Sequence, residues 1–125
     1  MKQESLSRAS IQELKALYED AASLHGQASV SGNHRTANAQ YKRITTAWRE
    51  LRRRGDEGRS TLTELLQSGN PAVRGWAASH VLEFAPELAA AELERLASGP
   101  PGVTRLDAEM TLSEWRAGNL KFDEQ

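Results

Sequence analysis

The segment Asn70-Pro71-Ala72-Val73-Arg74-Gly75-Trp76-Ala77-Ala78-Ser79-His80-Val81-Leu82 restricts the architecture more than any other. Asn70 is suited to cap a helix, because its side-chain oxygen can accept from a free amide of the first turn. Pro71 then falls at the first helical position, where its missing N–H is harmless. Val73, Trp76, Ala77, Val81, Leu82 and Phe84 spread over most of the helix surface. A helix apolar on most sides is a central one, so the rest of the chain must supply helices to surround it.

Those helices are legible on either side. Ser10 and Glu13 form a capping-box pattern, and Ile11, Leu14, Leu17, Ala21, Leu24 and Ala28 recur every three or four residues. This predicts a helix to about Gln27, followed by a turn over Ser29 to Asn33 with Gly32. Tyr41, Ile44, Trp48 and Leu51 predict a second apolar stripe, stopped by Gly55. The near-heptad spacing of both stripes predicts an antiparallel pair.

Asp56 and Glu57 favour the start of a third helix, with Leu62, Leu65 and Leu66 on its apolar face and Ser68-Gly69 at its end. Pro86 opens another helix, with Leu88, Ala89, Leu93 and Leu96 facing inward. Ser98-Gly99-Pro100-Pro101-Gly102 reads as a rigid loop. The last helix carries Val103, Leu106, Met110, Leu112 and Trp115 and stops at Gly118, where Leu120 and Phe122 can fold back. No segment alternates with period two, so no strand is expected. The fold class expected is all-α, with about six helices stacked as antiparallel pairs.

A repeat with a period near thirty residues supports stacking. Glu64-Leu65-Leu66-Gln67-Ser68-Gly69 matches Glu94-Arg95-Leu96-Ala97-Ser98-Gly99, and Arg74, Ala77 and Val81 correspond to Arg105, Ala108 and Leu112. Gly75 lowers helix propensity and is expected to mark a tight helix contact. The run from Asn70 to Leu82 resembles the first helix of a HEAT-type repeat. The stretch from Val73 through Ala85-Pro86-Glu87 and Asp107-Ala108-Glu109-Met110-Thr111-Leu112 to Gly118-Asn119-Leu120-Lys121-Phe122 resembles a bacterial family of small HEAT-like or armadillo-like helical domains of unknown function. That resemblance covers about residues 35 to 122. It implies an all-α fold of stacked helix pairs and no known catalytic residues.

At 125 residues the chain is expected to form one domain over 1–125, with 1–9 and 123–125 frayed. The lack of cysteine excludes disulfides and thiolate metal sites and fits a reducing cytoplasm. No apolar run is long enough to span a membrane, and Met1-Lys2-Gln3-Glu4-Ser5 lacks an apolar signal core, so a cytoplasmic protein is expected. Net charge is −1, yet it is unevenly spread: eleven Lys/Arg face seven Asp/Glu up to Arg59, and five face ten beyond.

The basic residues Lys42, Arg43, Arg49, Arg52, Arg53, Arg54 and Arg59, with Trp48 among them, form the candidate partner surface. Trp48 nevertheless lies on the apolar stripe, and Arg52 to Arg54 suit the C-terminal end of a helix dipole. Arg74 and Arg105 are expected to pair with acidic groups or helix ends of the neighbouring repeat. The acidic residues of the C-terminal half, Asp107 among them, read as a solvated face. Trp76 and Trp115 read as core anchors with no stacking cage.

The three histidines, His25, His34 and His80, lack a ligand-rich facing helix, and His80 is expected at a helix flank or hydrogen-bonded in the core. No nucleophile, phosphate-loop or dinucleotide motif is present. The expected function is therefore non-catalytic protein binding without metal or cofactor, as an adaptor or toxin-immunity type protein, monomeric or homodimeric. The alternative is nucleic-acid binding through the basic segment 42–59.

Overall fold

The computed structural model describes residues 6–122. Six helices of ten or more residues run through them: α1 (Ile11–Ser31), α2 (His34–Arg53), α3 (Asp56–Leu65), α4 (Pro71–Val81), α5 (Pro86–Ala97) and α6 (Val103–Arg116). No strand occurs among the described residues, and none of their helices is long and apolar enough to cross a membrane.

Local chemistry sets the boundaries. The Ser10 hydroxyl accepts from the Glu13 amide at 3.0 Å, and the Glu13 carboxylate accepts from the Ser10 amide at 2.8 Å. The helix then runs about one turn beyond the expected end. Gly32 takes the left-handed conformation (φ 77°) and closes it, and the Ser31 hydroxyl caps the Ala28 carbonyl. Asn33 caps α2 through the Thr36 amide at 3.1 Å. Asn70 caps α4 through the Ala72 amide at 2.9 Å, with Pro71 at the first helical position.

Helices α1 and α2 form the most extensive pair, and α4 is central, touching α1, α3, α5 and α6. One core joins all six helices through residues such as Leu14, Ile44, Leu62, Val81, Leu93 and Leu112. Tyr18, absent from the expected stripe, is fully buried in it. Four expected core residues are instead exposed: Tyr41 by 51%, Leu88 by 48%, Leu106 by 54% and Met110 by 58%. On α6 the reason is angular. Ala108, Leu112 and the half-buried Trp115 share one face, and two residues along a helix is roughly half a turn, which carries Leu106 and Met110 away from Ala108. On α5, Ala89, Leu93 and Leu96 complete the inward stripe without Leu88.

Residues 6–9, expected to fray, are held. The Arg54 guanidinium donates to the carbonyls of Leu6, Ser7 and Ala9, the last at 2.8 Å. The fraying expected for 1–5 and 123–125 lies outside the described residues. Leu120 and Phe122 pack against the core beyond Gly118, whose φ is 78°.

The two repeat-related arginines make one contact in common. Arg74 donates to the Ser68 carbonyl at 2.7 Å and Arg105 to the Gly99 carbonyl at 3.4 Å, in each case six residues back. Their second contacts differ. Arg74 reaches Glu92 on α5, as expected, whereas Arg105 pairs with Glu109 on its own helix.

The tight glycine contacts lie elsewhere than expected. A Cβ on Gly75 would sit 3.8 Å from Leu96, an ordinary contact. One on Gly58 would fall 1.7 Å from the Leu51 carbonyl oxygen, because the α2–α3 turn presses the two backbones together. Gly58→Ala should therefore lower stability by about 3 kcal/mol. Gly75→Ala should raise it by about 0.5–1 kcal/mol through helix propensity. Urea midpoints of the two variants should move in opposite directions, and a shared direction would contradict this packing.

Candidate functional site

The basic segment does not gather into a free cationic patch. Arg43 reaches Asp20 at 3.1 Å and Gln40 at 2.5 Å. Arg52 grips Glu83 with its Nε 3.0 Å from both carboxylate oxygens, and its Nη2 also reaches the Phe122 carbonyl at 3.1 Å. Arg53 and Arg54 both hold Glu50, at 2.7 Å each. Burial acts to raise the Glu50 carboxyl, but hydrogen bonds and charge from these two arginines outweigh it and hold the group below its ordinary value. Arg59 pairs with Asp56. Arg49 is half-buried, with its Nε enclosed and without a hydrogen bond, and Lys42 is exposed.

Trp48 is buried and belongs to a different group. Its indole stacks on His80 at 4.4 Å between centroids with the rings 6° apart, while the Arg52 guanidinium sits 5.6 Å from its ring centre. The Tyr18 hydroxyl lies 2.6 Å from His80 Nδ1. A phenol is the stronger proton donor of the two, so its O–H donates to Nδ1 and the imidazole keeps its proton on Nε2. Burial pushes the Tyr18 hydroxyl well up and pushes His80 down to about 3. Both groups are therefore neutral, and His80 is a hydrogen-bonded core residue. Glu83, one turn on, is committed to Arg52. Among the described residues no three His, Asp or Glu side chains converge on a site that could hold a metal ion.

A cleft of about 360 Å³ opens between α1, α4 and α6. Three helical stripes form its walls: His25 and Ser29 on α1; Ala72, Gly75, Trp76 and Ser79 on α4; Thr104, Asp107 and Thr111 on α6. Each follows three- or four-residue spacing, so each stays on one side of its helix. Small and hydroxylic side chains along these stripes leave the space unfilled. On the α1 side, a Cβ on Gly26 would lie only 2.8 Å from the Ala72 Cβ, so α1 and α4 are already in close contact there.

Trp76, expected as a core anchor without a cage, is a half-buried wall of this cleft. His25 meets it edge-on at 5.2 Å, and Tyr41 leans on it at 5.9 Å. His25 and Asp107 interact across the cleft by charge, without a hydrogen bond. Burial lowers the His25 imidazole and Asp107 counteracts that; burial raises the Asp107 carboxyl and His25 counteracts that. The Ser29 hydroxyl lies 3.5 Å from His25 Nδ1, too far for a strong hydrogen bond.

Sequence periodicity missed the cleft because its apolar residues (Trp76, Leu93, Val103, Ala108, Met110) come from different helices and are mixed with small and hydroxylic ones. The usable signal was the spacing of Thr104, Asp107 and Thr111, a polar stripe beside the core-facing one on α6.

Packed helix pairs, with no strand among the described residues, define an all-α fold with a cleft between α1, α4 and α6. The chain belongs to the family described as Domain of unknown function (DUF2019), which it matches over residues 12–115. It is also similar to the crystal structure of the protein RPA1889 from Rhodopseudomonas palustris CGA009. That likeness has a TM-score of 0.86 and 26% identity, and covers 94% of this chain and 98% of that one. No curated protein matches the chain.

Stability should fall in acid with a definite sign. Unfolded His80 takes up a proton near 6.5 and folded His80 only near 3, so its contribution is full above pH 6.5 and declines toward pH 3. Between pH 7 and pH 5 this removes roughly 2 kcal/mol, read from urea midpoints. In His80→Gln, which keeps an acceptor for Tyr18, that component should vanish.

The two arginines on Glu50 should separate as well. The Arg53 side chain is 67% exposed, and Arg53→Ala should change stability by less than about 0.5 kcal/mol. Arg54 also holds the chain before α1, and Arg54→Ala should cost about 2 kcal/mol in the same assay.

Proposed function

We propose that this chain is a non-catalytic protein-binding module, a short HEAT-like or armadillo-like stack of helix pairs whose α1–α4–α6 cleft receives a side chain of its partner. The cleft carries this reading. Its volume falls in the range of sites that enclose ligand groups. Trp76, Leu93 and Ala108 supply apolar wall, and the exposed Met110 stands among the lining residues. Aromatic and methionine side chains are enriched where partners bury their anchors.

Support for the stacked-repeat reading comes from Arg74 and Arg105, which tie equivalent loops at equivalent spacing. The non-catalytic reading is supported by the loose Ser29–His25 geometry. An adaptor or immunity role suits a small helical module with uneven charge, because such charge orients a partner before contact.

Nucleic-acid binding through 42–59 has less support. Arg43, Arg52, Arg53 and Arg59 direct their charge to Asp20, Glu83, Glu50 and Asp56, and Trp48 is enclosed.

Photo-crosslinking separates the two readings. A crosslinker in place of Met110 should capture a discrete protein from native lysate, insensitive to nuclease, while one in place of Lys42 should not. Nucleic acid captured from position 42, with nothing at position 110, would replace this proposal with the alternative.

A further inference from the structure

We infer that the cleft selects a cationic side chain, a lysine or arginine of the partner, with its charge at Asp107 and its alkyl stem along Trp76 and Met110. This rests on reading the cleft as a partner site. Four observations carry it.

Among the described residues no lysine or arginine lines the cleft. Asp107 stands in the middle of the α6 stripe and makes no ion pair among the described residues. The other carboxylates nearby on α5 and α6 are already engaged: Glu92 with Arg74 and Arg95, Glu94 with Arg116, and Glu109 with Arg105. His25, the other titratable group in the cleft, is shifted toward its neutral form by burial, which weakens its hold on the carboxylate.

Chemistry around the carboxylate suits such a guest. The hydroxyls of Thr104 and Thr111 flank Asp107 on the same stripe and can accept from an ammonium or guanidinium. The Trp76 indole offers ring surface to a cation and apolar surface to its methylene stem.

One opposing field enters the cleft. The N-terminal residues of α6, Val103 and Thr104, also line it, and a helix N-terminus carries a positive end potential. That potential amounts to roughly half a charge and fades within the first turn. Asp107 lies beyond that turn, and it is the carboxylate nearest the guest's charge that sets the sign.

Blocked amino acids test the inference on the intact chain. The probes are the Nα-acetyl amides of lysine, arginine, norleucine and glutamate, with n-butylammonium as a free amine. Amide shifts of Gly26, Gly75 and Asp107 report occupancy. Lysine and arginine amides should bind about threefold or more tighter than norleucine amide. Added salt should narrow the gap, glutamate amide should not saturate, and Asp107→Asn should erase the preference at an unchanged urea midpoint.

Norleucine amide binding as well as lysine amide would make the cleft simply apolar and overturn the inference. So would a preference for glutamate amide, a preference that survives Asp107→Asn, or no saturable probe. Tighter binding of n-butylammonium than of lysine amide would assign the site to a free amine. The crosslink at position 110 keeps the two levels apart. Protein captured there with norleucine preferred removes the cation and leaves the partner reading. Lysine preference with no captured protein removes the partner and leaves a cation site.

Discussion

His80 ties three helices to one another, and the fold depends on its remaining uncharged. It sits on α4, accepts from Tyr18 of α1 and stacks on Trp48 of α2. The Tyr18 contact requires an unprotonated Nδ1. A proton on Nδ1 would remove the acceptor that satisfies Tyr18, and a buried charge would have no carboxylate to meet it, since Glu83 is held by Arg52. Burying an unpaired charge is far more expensive than burying a hydrogen-bonded neutral group. The bundle therefore gains a specific, directional contact at its centre and is tuned to near-neutral conditions.

Around this centre the charged residues act as struts. Glu50 and Glu92 are both buried, and each is held by two arginines. The two sites differ in reach. At Glu50 both arginines come from the end of α2, and Arg54 extends the network to the chain before α1. At Glu92 one arginine comes from α4 and one from α5, so the pair links neighbouring helices. Deleting either carboxylate would remove an ionic partner from two arginines and leave Arg54 and Arg74 only their bonds to carbonyls. This use of arginine explains how a segment rich in positive charge can lack a free basic surface.

Apolar periodicity made the helices legible, and the caps marked their starts. Ser10, Asn70 and Pro71 did so because each satisfies or avoids a backbone donor locally, and local chemistry is readable from sequence. The exposed leucines and Met110 were not legible, because an apolar residue beside a stripe looks like part of it until the neighbouring helix is placed. The Gly58 contact depends on how sharply α2 turns into α3, which no periodicity reports. The tasks of the arginines were half legible: Arg74 had a repeat position, and its partner Glu92 is set by the packing of α4 against α5. The cleft was hidden most completely. Many of its lining residues are glycine, alanine, serine and threonine, which periodicity reads as helix surface.

Those same small residues explain why the cleft stays open. Packed helices normally close on one another until side chains interdigitate at crystal-like density. Here Gly26 and Ala72 bring α1 and α4 so near that a single added methyl group would clash. Helix α6 is instead fixed from its other side, where Ala108 and Leu112 enter the core and α5 packs along it. Between these two constraints the Thr104–Asp107–Thr111 stripe, with Ser29 and Ser79 across the cleft, leaves space that Trp76 and His25 only partly fill. Closing it would press Asp107 into an apolar wall without a counterion, a cost that rises as water is excluded. A partner that brings its own positive charge removes that cost, and the cleft can then be filled without moving any helix.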